Sequence, residues 1–150
     1  MNAYLLPTIE LGPAVVERIC RLIPADRWDE RLVPDRFSPR EVAAHLADWE
    51  PILLDRICTA VLKPGATLQA FNEVEMARAN GYGERDLLEQ CALFAQERAK
   101  TAAYLRSLSA SDWLGAAHHP ERGSQSAEDL ANLLLGHDLY HIEQLSAYLV

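Results

Sequence analysis

His137 and His141 stand four residues apart in Leu133-Leu-Leu-Gly-His-Asp-Leu-Tyr-His-Ile-Glu-Gln-Leu145. In a helix, positions i and i+4 stack on one face with Cβ atoms about 5–6 Å apart. The apolar stripe of that helix runs Leu130, Leu134, His137, His141, Leu145, Tyr148, so two imidazoles occupy places where a packed bundle would put leucine. A buried polar group without a partner costs about 1–3 kcal/mol. Backbone carbonyls would satisfy such rings one at a time; a divalent metal would satisfy both at once. His45 is placed similarly, on a stripe with Val42, Trp49 and Ile52. Three inward histidines on two helices able to pack together form a His₃ set, a donor type suited to zinc, nickel, iron or copper. Three protein ligands leave coordination positions open for water or substrate, as working sites do. The chemistry offered is activation of a metal-bound water or thiol into a nucleophile.

The elements that must position these rings read as all helical. A first helix is expected to start between Thr8 and Pro13, with Gly12-Pro13 as cap and first turn, and to end before Pro24. Its apolar positions are Leu11, Val15, Ile19 and Leu22. After a connector carrying Trp28 and Pro34, Ser38-Pro-Arg-Glu41 gives a capping box with proline in the first turn, flanked by Phe37 and Val42. The second helix runs on to about Leu62, with Pro51 inside it and a kink expected just after His45. Lys63 to Thr67 is a loop, Leu68 to Ala79 a short helix, and Asn80-Gly-Tyr-Gly83 a break. The third long helix spans about Glu84 to Leu108 and buries Leu87, Cys91, Phe94, Ala95, Ala102 and Leu105. Ser109 to Gly123 reads as irregular, and a fourth helix capped by Ser126 reaches the C-terminus. The sum is one domain over residues 1–150, a four-helix bundle with a long connection between its second and third members.

At 150 residues and 49% apolar, the chain is long enough for a core that needs no disulfide. Cys20, Cys58 and Cys91 are widely spaced and form no CxxC, so buried, reduced thiols and a cytoplasmic location are expected. The N-terminus has no basic leader, and no run approaches the ~18 apolar residues of a membrane span. A net charge of −8 argues against nucleic acid as the ligand and for a small molecule or a protein.

Other residues carry two readings each. Asp48 either orients a histidine or is a solvated acid near Arg36 or Arg40. Asp138 points about 100° away from His137 and is expected to serve a neighbouring helix or a dimer surface. His118 and His119 read as exposed loop residues, with a second metal site as the alternative. Trp49 and Tyr140 either line a pocket or belong to the core, and Tyr82, between two glycines, is a candidate mobile element at a pocket mouth.

The segments Phe37-Ser-Pro-Arg-Glu-Val-Ala-Ala-His-Leu-Ala-Asp-Trp-Glu50 and Gly136-His-Asp-Leu-Tyr-His-Ile-Glu-Gln-Leu145 resemble the two metal-histidine segments of the DinB-like (DinB/YfiT) superfamily. Trp28-Asp29 resembles the aromatic–acidic pair that often precedes the first of them. The resemblance implies an up-down-down-up four-helix bundle, often a homodimer, holding one divalent metal on His45, His137 and His141. It also implies a choice of activities. Some members are thiol-dependent S-transferases or isomerases, some are hydrolases, and many have no assigned reaction. The expectation is a His₃ metal, zinc or nickel, that activates a low-molecular-weight thiol against a small-molecule electrophile. Arg78 and Arg85 are candidates to hold such a thiol's carboxylates. A metal-water hydrolase is the nearest variant, and a non-catalytic dimeric binding or stress-related protein is the reading from another class.

Overall fold

A computed structural model describes residues 2–149, leaving Met1 and Val150 outside the described residues. Its long helices are α1 (Leu5–Leu22), α2 (Pro39–Leu62), α4 (Leu87–Ser107) and α5 (Ala127–Ser146), with a short α3 (Glu73–Ala79) between α2 and α4. Two apolar clusters fix the direction of each. One joins Leu5 and Ile9 of α1 to Leu53 and Ile57 of α2, Leu105 of α4, and Leu130 and Leu134 of α5. The other joins Val16 and Cys20 of α1 to Val42 and Leu46 of α2, Leu87 and Phe94 of α4, and Leu145 of α5. Thus α1 and α5 run from the first cluster to the second, α2 and α4 run back, and the order is up-down-down-up. Each of α1 and α2 packs against both α4 and α5.

Local chemistry sets the helix ends. Ser38 Oγ accepts from the Glu41 N–H at 3.3 Å while Glu41 Oε2 accepts from the Ser38 N–H at 2.8 Å. Ser126 and Asp129 repeat the device at the head of α5. These two reciprocal caps begin the two helices that carry histidines. Asn72 and Asp86 cap α3 and α4 through their side-chain oxygens.

Helix α1 departs from expectation. It begins at Leu5, and Pro13 lies inside it. A proline there cannot donate to the carbonyl of Ile9. Arg98 of α4 donates to that oxygen instead, at 2.8 Å. The buried stripe is Leu5, Ile9, Gly12, Val16 and Cys20, while Leu11 and Leu22 are exposed and Val15 and Ile19 half-buried. The true stripe passes through Gly12, which no hydrophobicity pattern marks. A Cβ on Gly12 would sit 2.4 Å from Asp138 Oδ2, so only glycine lets α1 pass the α5 carboxylate this closely.

Three further expectations are corrected. The short helix is confined to Glu73–Ala79, because the chain before it pairs as an edge: the Leu68 N–H donates to His118 O, and the His118 N–H to Ala66 O. The stretch after α4 is not irregular. It forms a hairpin of β1 (Ala116–His119) and β2 (Gly123–Ser126), with Ala116 opposite Ser126. In α4 the inward charged residue is Arg98, and Ala95 is exposed. Cys20 and Cys91 are buried, Cys58 half-buried, and all three are free thiols. Among the described residues, no helix is long and apolar enough to cross a membrane.

Candidate metal centre

Helix α2 delivers His45 and α5 delivers His137 and His141 to one place. The three rings offer ligand atoms that all lie within 4.8 Å of one another. His45 Nε2 faces His137 Nε2 at 2.9 Å. Ring centroids are 5.0 Å apart for His45–His137, 4.9 Å for His45–His141 and 4.7 Å for His137–His141. His45 and His141 are buried and His137 is half-buried.

The surroundings keep all three rings neutral. Burial pushes His45 down to about 3, with the His141 charge adding to the effect. Burial likewise takes His137 down to about 2, helped by His141, His45 and Arg98. His141 falls to about 4 through burial, against a hydrogen bond to Gln144 that favours its protonated form. A neutral imidazole has a free lone pair, the state in which histidine ligates a metal. Three such nitrogens converging in a buried place fit a divalent ion. They leave two facing nitrogens, His45 Nε2 and His137 Nε2, one of which must otherwise carry a proton toward the other.

Gln144 settles which nitrogen His141 presents. Its Nε2 donates to the Phe37 carbonyl at 2.7 Å, so its Oε1 faces His141 Nδ1, 3.1 Å away. An amide oxygen only accepts, hence Nδ1 carries the proton and Nε2 is left free. This is the support that metal-binding histidines commonly receive. Trp49 stacks on the His45 ring at 5.6 Å and 29°, and the Phe37 ring lies 5.2 Å from it. His141 lines a pocket of about 120 Å³ together with Arg36, Phe37, Glu73, Tyr140 and Gln144, among others.

Several expected roles change. Asp48 does not orient a histidine: its carboxylate takes Arg85 Nη1 at 2.7 Å and Asn80 Nδ2 at 2.8 Å. Arg85 is spent on that ion pair and is not free to hold a thiol's carboxylate. Tyr82 is buried against Phe37 and His45, and with Gly81 and Gly83 it lines a groove that also includes Arg36. Tyr140 does line the pocket and is exposed, whereas Trp49 is a buried wall. His118 is exposed, but His119 is buried, with its Nδ1 accepting from the Glu121 N–H. Asp138 serves a neighbouring helix. It and Glu50 both clasp Arg98, at 2.6 Å and 2.7 Å, in a fully buried triad directly behind the histidines.

Three residues of the site escaped the sequence reading. Gln144 had a usable signal, lying three positions after His141 and so on a neighbouring part of the same helix face. Arg36 and Glu73 had none, because Arg36 reaches the pocket from the connector before α2 and Glu73 from the start of the short α3, and only tertiary structure defines where either lies.

A four-helix bundle carrying three convergent imidazoles on two of its helices is the architecture of a metal-binding helical protein. The DinB superfamily model matches residues 8–145, and the chain belongs to that superfamily. Among solved structures it is similar to YfiT from Bacillus subtilis, described as a probable metal-dependent hydrolase with an unusual four-helix bundle topology. The TM-score is 0.91 at 17% identity, covering 99% of this chain and 87% of that one. It is also similar to a mycothiol-dependent maleylpyruvate isomerase (TM-score 0.76, 14% identity, 94% of this chain and 59% of that one). A third likeness is to the DinB-like protein YjoA from Bacillus subtilis (TM-score 0.65, 14% identity, 97% and 89%). At these identities the likeness shows the fold. A comparison with curated protein sequences finds no match.

Proposed function

We propose that this protein is a metal-dependent thiol S-transferase. His45, His137 and His141 would hold a divalent ion, zinc or nickel, and a low-molecular-weight thiol would attack a small electrophilic substrate. The observation that carries the reading is the convergence of three neutral imidazoles, one of which, His141, lines a pocket. When bound, the ion supplies Lewis acidity that lowers the pKa of a thiol or water. The chain's own residues do the rest. Gln144 fixes the His141 tautomer, Trp49 and Phe37 hold His45, and Tyr140 with Arg36 shapes the entrance. Two relatives in fold are described as a probable metal-dependent hydrolase and a mycothiol-dependent isomerase, which supports nucleophile activation without choosing the nucleophile.

One observation favours hydrolysis as the second reading. Glu73 lines the same pocket as His141, and desolvation raises its carboxyl while Arg122 and Arg56 pull it back down. A carboxylate so placed could take a proton from water. We also propose that two copies pair through the α1–α5 face, where Leu11 and Leu139 are exposed beside an apolar groove. Three free thiols suit the reducing cytoplasm.

Metal analysis of the purified protein beside His45→Ala and His137→Ala tests the site. Stoichiometric zinc or nickel that vanishes in both variants is expected. A metal-free wild type whose melting ignores zinc and chelator alike refutes it. Incubating the loaded protein with biological thiols and 1-chloro-2,4-dinitrobenzene then separates the classes. Acceleration requiring both metal and thiol marks the transferase, and no acceleration with any thiol favours a hydrolase or a non-catalytic binding protein. Ester or amide turnover that falls in Glu73→Gln would mark the hydrolase.

A further inference from the structure

Arg36, like Arg56, keeps a shielded guanidinium N–H that donates to no atom of the fold, and of the two it is Arg36 that lines the pocket containing His141. It sits on the connector that crosses the histidine site, one residue before Phe37, whose carbonyl Gln144 holds. Its guanidinium lies 4.5 Å over the ring of Tyr140, and that ring in turn meets His141 edge-on at 5.1 Å. Stacking fixes the plane of the guanidinium without using its N–H groups. Among the described residues, Nε and Nη2 are shielded from solvent yet donate to no atom. The one ion pair is loose: Nη1 stands 3.6 Å from Glu143, itself largely exposed. Asp35 and Glu73 share the pocket walls, but neither hydrogen-bonds Arg36. By contrast Arg40, Arg85 and Arg98 spend their forks on carboxylates within the fold.

Nε and Nη2 form one edge of the guanidinium, the edge that grips a carboxylate with two parallel hydrogen bonds. Arg36 lines both the pocket that contains His141 and an adjoining groove of about 680 Å³ that includes Arg78. We propose that Arg36 is the anchor for a carboxylate on the molecule that enters the histidine site. The inference rests on the reading of that site as the place of reaction, and it deepens it: the ligand is an anionic small molecule. The carboxylate belongs either to the thiol or to its electrophilic partner, and the test separates these sources.

The Arg36 Nε–H resonance, assigned by its loss in Arg36→Gln, is followed by ¹⁵N–¹H NMR in the metal-free protein during titration with succinate and, separately, succinamide. A saturable shift with succinate alone is expected. No shift with succinate overturns the proposal whether or not the protein binds metal, because metal content is measured separately. In cobalt-loaded protein the thiolate-to-metal band then reports affinity. At least tenfold tighter binding of 3-mercaptopropionate than of 2-mercaptoethanol, lost in Arg36→Gln, puts the carboxylate on the thiol. Equal affinities, with succinate perturbing the 2-mercaptoethanol complex of the wild type but not of Arg36→Gln, put it on the second molecule. Equal affinities with no effect of succinate overturn the anchor even if the metal reading stands. Circular dichroism of Arg36→Gln identical to wild type excludes misfolding as the cause.

Discussion

Replacing Arg98 with methionine removes the charge at the centre of the bundle while keeping an apolar side chain of similar length. In the wild type the guanidinium donates five hydrogen bonds: two to Glu50, two to Asp138 and one to the Ile9 carbonyl. At about 1.5–3 kcal/mol each, their sum of about 7.5–15 kcal/mol would match the whole stability of a typical domain. The desolvation of Arg98 itself, absent in the variant, offsets much of that sum. Removing one partner of a buried ion pair has a measured cost of about 3–5 kcal/mol, because the remaining charge stays buried. Here two carboxylates remain and face one another, so the upper half of that range is expected at pH 8. The pH dependence gives an independent check. Burial already raises the Asp138 carboxyl, and Arg98 is the group that holds it down. Without Arg98 the folded carboxyl keeps its proton to still higher pH than the unfolded chain does. Such a group binds protons on folding, so the variant regains stability as pH falls from 8 to 6, by up to about 1.4 kcal/mol per unit. Urea unfolding of wild type and variant, metal-free and at both pH values, measures the difference with the histidine contributions cancelled. Glu50→Gln added to Arg98→Met should recover part of the loss by removing one of the facing charges. A deficit below about 1 kcal/mol at pH 8, or one that grows toward pH 6, would show that the triad is not the charged, desolvated unit described here.

Three other outcomes are expected. The metal-free protein should lose stability in acid: His45, His137 and His141 stay neutral to about 3, 2 and 4 when folded but titrate near the ordinary 6.5 when unfolded. The contribution is whole above pH 6.5 and falls by about 4 kcal/mol per unit below it, the sum over three rings, until the folded values are reached; a flat urea midpoint between pH 7.5 and 5.5 refutes this. Gly12→Ala should destabilise by about 1–3 kcal/mol despite alanine's better helix propensity, since its Cβ meets Asp138 and Arg98, and a raised melting temperature would contradict the close approach. Gln144→Leu should weaken metal binding by about 10–100-fold in a competition assay with little change in urea midpoint, whereas unaltered affinity would remove Gln144 from the site.

What could be read in the sequence was whatever repeats along a helix. The capping boxes at Ser38 and Ser126, and the stripes they launch, placed α2 and α5 and turned His45, His137 and His141 toward one another. The start of the first helix is hidden in the sequence because its contact face contains glycine and proline at Gly12 and Pro13, residues that ordinarily mark an end. Both are tolerated for a reason found on another helix, where Arg98 satisfies the carbonyl that Pro13 leaves free and Asp138 occupies the space of the missing Cβ. The hairpin at Ala116–Ser126 was illegible for a similar reason. Its β1 strand pairs with the chain near Thr67, about fifty residues away, and no local periodicity encodes such a partner.

The same distinction bears on how this fold separates stability from chemistry. The bundle has a polar middle: Glu50, Arg98 and Asp138 lie between two apolar clusters, and each carboxylate is adjacent in sequence to a side chain of the histidine site. Glu50 follows Trp49, which stacks on His45, and Asp138 follows His137. Arg98 holds both carboxylates and so fixes the relative position of α2 and α5, the two helices that must agree for three imidazoles to converge. An apolar layer of equal volume could hold the helices as tightly but would let them slide, because hydrophobic contact has no direction. A forked guanidinium gripping two carboxylates permits one alignment only. The buried triad thus ties together the two helices that carry the histidines. Arg36 and Phe37, on the connector before α2, and Tyr82, on the connector before α4, meet the ligand side of the site.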